Sequence, residues 1–246
     1  MPLSALDVTI DTEFIKVLII GPPGTGKSVF ASTFPTKGYV YDFSNGILIY
    51  KGKDFEYDQF QLNSQGWNEY EKTSIEIEKK TKSGYYKTIV VDDLTAMMSV
   101  AMEKALSLDP KRNEAQGPLW NVHYQLVRNL MEGKLRKILN LPANIVFICH
   151  DEVKTDQVRG ALIRIEPYLP GQLDKVLTGY FDEVYYSTTR RITKGTEQVT
   201  EFLLQTVPIG LQRARSRMSG VEHLLPDFVA NNYNALIEHI RKGKKK

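Results

Sequence analysis

Residues 21–28 read Gly-Pro-Pro-Gly-Thr-Gly-Lys-Ser, directly after the apolar run Val17-Leu18-Ile19-Ile20. Gly21, Gly24 and Gly26 let the backbone curl so that successive N–H groups point inward, and such a ring of donors holds a phosphate, helped by the N-terminus of the helix that follows. Pro22, Pro23 and Thr25 complete the loop, Lys27 reaches the β and γ phosphates, Ser28 offers its hydroxyl to a magnesium ion, and Val29 stands beside them. Magnesium needs a second anchor, an acidic residue at the end of a neighbouring buried strand. Asp92 fits, because Ile89-Val90-Val91 before it is apolar at every position, as in a strand covered on both faces. Asp93 either orients a water or caps the helix that starts at Leu94. His150 ends another apolar run, Ile145 to Cys149, and would face the same crevice, where it can sense a γ-phosphate.

These residues require a scaffold in which β-branched strands alternate with longer helical stretches, which is the pattern of a mainly parallel sheet covered by helices. Strands are expected at 15–20, 38–41, 88–91 and 144–149. Helices are expected at 66–82, where Trp67, Tyr70 and Ile77 recur at helical spacing, and at 94–106, 120–139 and 172–180. The polar segment 107–118 carries two prolines and a glycine and reads as a loop, and 151–170 has no firm period. Runs 183–192 and 198–207 flank the turn Thr193-Lys194-Gly195-Thr196-Glu197 and predict an antiparallel hairpin. The domain is therefore placed at 14–236, between a short segment 1–13 and a basic tail 237–246.

With 246 residues, 25% charged and 42% hydrophobic, the chain has ordinary globular composition and length for one large α/β domain. A net charge of +3 is too small to argue for nucleic acid alone, although Arg-Lys-Gly-Lys-Lys-Lys at the end concentrates five positive charges that either bind DNA or are simply solvated. The single cysteine, Cys149, excludes an internal disulfide and points to a reducing compartment. No apolar run approaches a membrane span, and residues 1–14 lack the pattern of a signal peptide. A cytoplasmic protein without membrane contact is expected.

Four kinds of phosphate-loop protein compete. A GTPase would need an Asn/Thr-Lys-x-Asp guanine-reading motif, which is missing, and a small-molecule kinase would carry an arginine-rich lid and no late hairpin. An AAA+ motor shares Gly-Pro-Pro-Gly-Thr-Gly-Lys-Ser but would carry Asp-Glu where Asp92-Asp93 stands, followed by a helical lid. The order of phosphate loop, Ile-Val-Val-Asp, polar loop, long helix, strand with a polar tip, basic loop, Pro-Tyr-Leu-Pro-Gly-Gln and hairpin resembles the RecA core. More closely, it is similar to compact AAA-domain ATPases encoded by bacteriophages and related to single-strand annealing proteins, over residues 14–230.

The resemblance implies an α/β RecA-like P-loop NTPase core with a C-terminal antiparallel hairpin, ATP and Mg2+ as cofactors, and host cytoplasm as the location. It implies single-stranded DNA, replication or recombination proteins, and a homo-oligomeric ring or filament as partners. Segments 107–118 and 151–170 would line the DNA path, the second with Lys154, Arg159 and Arg164 for phosphates and Tyr168 for base stacking. Arg215 and Arg217 would enter a neighbouring subunit's site, where such arginines accelerate phosphoryl transfer by about 10³ to 10⁵. In this family a glutamate often ends the second strand to polarise water. Here Asp42-Phe43-Ser44 puts serine in its place, so that Asp42 or Asp93 substitutes or hydrolysis is slow. Slow hydrolysis would make the chain a nucleotide-gated DNA-binding protein. A helicase loader or remodeller of AAA+ type, acting on another protein, is the other alternative.

Overall fold

The structure is a computed structural model that describes residues 14–155, 162–169, 173–220 and 224–243. Five parallel strands lie side by side: β1 (Lys16–Ile20), β2 (Gly38–Asp42), β3 (Phe55–Gln59), β4 (Thr88–Asp92) and β5 (Asn144–Cys149), with β3 at the sheet edge. A short hairpin follows, β6 (Asp151–Thr155) with β7 (Leu162–Pro167), as a separate two-stranded sheet. The long hairpin is β8 (Glu183–Lys194) with β9 (Glu197–Gln205), and β10 (Arg215–Ser216) and β11 (Phe228–Ala230) complete the main sheet. Its order is β11-β9-β8-β1-β5-β4-β2-β3, with β10 against the start of β8.

The order follows from burial. In β1, Leu18 and Ile20 enter one apolar cluster while Val17 and Ile19 enter the other, so the strand is covered on both faces and must lie centrally. The first cluster is closed by α2 (Ser64–Lys82), α3 (Leu94–Leu108), α4 (His123–Leu139) and α5 (Leu173–Leu177), and the second by α1 (Lys27–Ala31) and α6 (Tyr233–Gly243). The result is the three-layer α/β fold with a mostly parallel sheet and an antiparallel hairpin that the sequence predicts. No helix among the described residues is long and apolar enough to cross a membrane.

Several boundaries move for physical reasons. Helix α4 begins at His123 instead of 120, because the buried His123 ring is a knot in the preceding loop. Its Nδ1 accepts the Leu119 N–H at 2.8 Å and its Nε2 lies 2.8 Å from the Asp109 carbonyl. Trp120 is left outside, exposed and tilted against Tyr124. Segment 151–170, without a period in sequence, contains β6 and β7. The expected tail from 237 begins inside α6, where Leu236, Ile237 and Ile240 are buried against the second cluster. Residues 1–13 and 244–246 lie outside the described residues, as does Arg159.

Candidate functional site

The loop after β1 and the ends of β4 and β5 meet in one cleft. It is lined by Pro23, Gly24, Gly26, Lys27, Ser28 and Val29 on the loop side and by Ser44, Asp92, Asp93 and His150 opposite. Parallel strands bring these residues together because their carboxyl ends share one sheet edge: β1 registers Ile20 with Cys149, and β4 registers Val91 with Phe147. Helix α1 spans only five residues, so the positive character of the loop comes mainly from its own N–H groups and Lys27 and less from a helix dipole.

The loop is held from the far end of the chain. Ser187 Oγ of β8 donates to the Thr25 carbonyl at 2.7 Å, and Asn231 Nδ2 donates to the Gly26 carbonyl at 2.8 Å. Gly21 and Gly26 have φ of +153° and +85°, which favour glycine. A Cβ at Gly21 would lie 2.6 Å from the Ser187 carbonyl oxygen, and one at Gly26 would lie 2.5 Å from Asn231 Nδ2. Gly26→Ala is therefore expected to weaken ATP binding at least tenfold, roughly 1.4 kcal/mol, with the fold retained; calorimetric titration alongside circular dichroism checks it.

Lys27 is buried, and its Nζ donates to the carbonyls of Gly21 at 2.8 Å and Pro22 at 2.9 Å. Burial lowers its pKa, partly offset by Asp93, Asp151 and other nearby acids. Its Nζ also lies 3.5 Å from His150 Nδ1, while His150 Nε2 lies 3.3 Å from Asp93 Oδ2. An ammonium offers only donors, so Nδ1 accepts and the ring proton sits on Nε2, facing the carboxylate. Of the two readings of Asp93, the helix cap is the one seen: Oδ1 caps α3 by accepting the Ala96 N–H at 2.7 Å, while Oδ2 faces His150 and the residue lines the cleft.

Asp92 is nearly fully buried, and burial pushes its carboxyl up to about 6, against donation from the Ser28 hydroxyl and the Tyr50 phenol. A desolvated carboxylate bonded to the Ser28 hydroxyl fits a hard cation. The described residues contain no cluster of three or more acidic, histidine or cysteine ligands. Magnesium takes one or two protein oxygens and completes its shell with water and nucleotide phosphates, so the Ser28 hydroxyl with the Asp92 carboxylate is a sufficient protein set for it. Ser28 and Asp92 would hold it and place it against the phosphates.

Other expected residues are engaged elsewhere. Asp42 does not line the cleft: Oδ1 accepts the N–H groups of Ser44 at 3.2 Å and Gly46 at 3.0 Å, and Oδ2 accepts from Gln59 at 2.8 Å. It shapes the turn after β2, so the carboxylates that line the cleft are Asp92 and Asp93. Lys154 pairs with Glu152, and Arg164 with the buried Glu166, so both cations among the described residues of the β6–β7 hairpin face carboxylates of their own chain. Tyr168 remains partly exposed, its N–H donating to the His150 carbonyl at 2.8 Å.

Arg215 and Arg217 sit near Val184 and Glu183 at the start of β8, level with Val17, on the sheet edge opposite the cradle of the same chain. Arg215 Nη2 donates to the carbonyls of Thr178 at 2.6 Å and Phe181 at 2.7 Å, and Arg217 pairs with Asp182 at 2.8 Å. Arg215 thus closes the turn before β8, and Arg217 is the more exposed of the two in its ion pair. Tyr50, Ser187, Phe202 and Asn231 were not foreseen. The predicted hairpin is a signal for Ser187 and Phe202 alone, and Tyr50 and Asn231 have none, because all four roles depend on contacts across more than 40 residues.

No curated protein sequence matches the chain. The AAA domain family matches residues 13–218, most of its length and all of the cleft except Asn231 behind it. Phosphate loop, buried acidic strand end and sheet order agree with that match, and the chain belongs to the AAA domain family of P-loop ATPases.

Proposed function

We propose that the chain is a magnesium-dependent ATPase of RecA-like design that engages single-stranded DNA in recombination or annealing, as a phage-encoded ring or filament. The observation that carries the ATPase part is the contact series Lys27, His150, Asp93. A γ-phosphate attracts Lys27 away from the Gly21 and Pro22 carbonyls, which changes what His150 Nδ1 faces. His150 is directly followed by β6, and the root of that hairpin is pinned where Tyr186 donates to Asp151 at 2.7 Å and Thr95 Oγ1 accepts the His150 N–H at 3.2 Å. A nucleotide signal therefore enters the hairpin at its base.

DNA engagement is supported by the hairpin's place after the sensor and by exposed Tyr168, whose ring can stack on a base. A protein partner is the second reading, favoured by the exposed apolar Val153, Leu162 and Ile163 on the same hairpin and by the internal pairing of Lys154 and Arg164. ATP turnover with and without single-stranded DNA at two salt concentrations separates them, because counterion release makes DNA affinity fall steeply with salt. Stimulation that salt suppresses supports DNA; turnover indifferent to DNA supports the protein partner. Lys27→Ala is expected to abolish nucleotide binding in either case, and unchanged ATP affinity in that variant would overturn the cradle assignment.

A further inference from the structure

At one end of the cleft stand Asp92, Asp93 and His150, at the carboxyl ends of β4 and β5. At the other stands Phe202 of β9, beyond β8 on the opposite side of β1. A nucleotide whose γ-phosphate lies near Lys27 and Asp92 must carry its base away from the acidic end. We propose that Phe202 is the platform on which that base stacks; the proposal rests on the ATP-site assignment above.

Three observations support it. Phe202 is 44% exposed, although Leu204 two residues later on the same strand face is fully buried, so the apolar stripe of β9 runs out of the core into the cleft. The ring lies against the phosphate loop, its Cδ1 3.1 Å from where a Cβ on Gly26 would be. Its backbone is held on both sides, by pairing with Thr189 and by the Asn231 N–H donating to the Phe202 carbonyl at 3.1 Å, so the ring is presented by a rigid strand. Stacking is open to every base because each has a π face, so the platform contributes affinity for nucleotides in general. Ile49, also exposed at the cleft rim, is the competing apolar wall.

The test titrates ATP and inorganic tripolyphosphate, each in magnesium buffer, into the wild type, Phe202→Leu, Phe202→Tyr, Ile49→Ala and Lys27→Ala. Leucine keeps apolar cover over Gly26 but has no π face. Phe202→Leu is expected to weaken ATP roughly tenfold or more while leaving tripolyphosphate unchanged, and Phe202→Tyr to restore ATP affinity. Unchanged ATP affinity in Phe202→Leu, an equal loss for both ligands, or a selective ATP loss in Ile49→Ala alone would overturn the platform. Lys27→Ala must weaken both ligands; if it weakens neither, the ATP-site assignment itself fails, whatever the Phe202 variants show.

Discussion

Asp92→Asn is expected to raise the melting temperature of the nucleotide-free protein at pH 8 by on the order of 5 °C and to remove the further rise that magnesium and ATP give the wild type. The carboxyl of Asp92 ordinarily titrates near 3.8, and burial pushes it up to about 6 in the fold. A folded pKa above the unfolded one means that the folded state binds the proton more tightly. The group's contribution to stability is complete below the unfolded value and is lost as pH rises through the folded one. At pH 8 the loss is complete, about 3 kcal/mol in magnitude, because an ionised carboxylate is held where water cannot solvate it. Asparagine keeps one oxygen for the Ser28 and Tyr50 hydroxyls and carries no charge, so the variant escapes the penalty.

The advantage of the variant should shrink as pH falls from 6 toward 4, where the wild-type carboxyl takes its proton. Thermal melts at pH 4.5 and 8, with and without magnesium and ATP, check both halves. A variant less stable than wild type at pH 8 would show that the Ser28 and Tyr50 hydrogen bonds outweigh desolvation. Loss of the magnesium-dependent rise in the variant would tie this buried charge to a cation, the role proposed for it with Ser28.

Which parts of this arrangement can be read along the chain follows from contact distance. The cradle lies within eight consecutive residues, and Asp92 and His150 each end an apolar strand, so local spacing places them at the same sheet edge. Phe202 and Asn231 reach Gly26 from about 180 and 205 residues away, and neither has a neighbour that marks it. β3, Phe-Glu-Tyr-Asp-Gln, has little apolar content because it is an edge strand; Glu56 and Asp58 bind tyrosines at Glu56–Tyr86 and Asp58–Tyr39. Helix α6 was hidden by its basic end, since Ile237 and Ile240 lie close to Arg241 and Lys242. The alternating arginines at 213, 215 and 217 mark an exposed charged segment in the sequence, but not that Arg215 donates to the carbonyls of Thr178 and Phe181, which come from 34 to 37 residues earlier.

The same logic gives Asp93 its sharpest test. Asparagine caps a helix as well as aspartate does, so in Asp93→Asn Oδ1 continues to accept the Ala96 N–H and α3 should keep its start. What changes is the second atom: an amide replaces Oδ2 and meets the Nε2–H of His150, 3.3 Å away, with a donor against a donor. If Asp93 takes the proton of the attacking water, ATP turnover should fall by about 10² to 10⁴ while ATP affinity and melting temperature stay near wild type. Single-turnover rates, equilibrium titration and thermal melts on the one variant measure all three. Unchanged turnover would confine Asp93 to capping. Asp42, held by Ser44, Gly46 and Gln59, cannot take over without unmaking the turn after β2. The proton acceptor would then be His150, whose Nδ1 accepts in the same cleft, or a group from a neighbouring subunit, and a sharp dependence of turnover on protein concentration would mark the second.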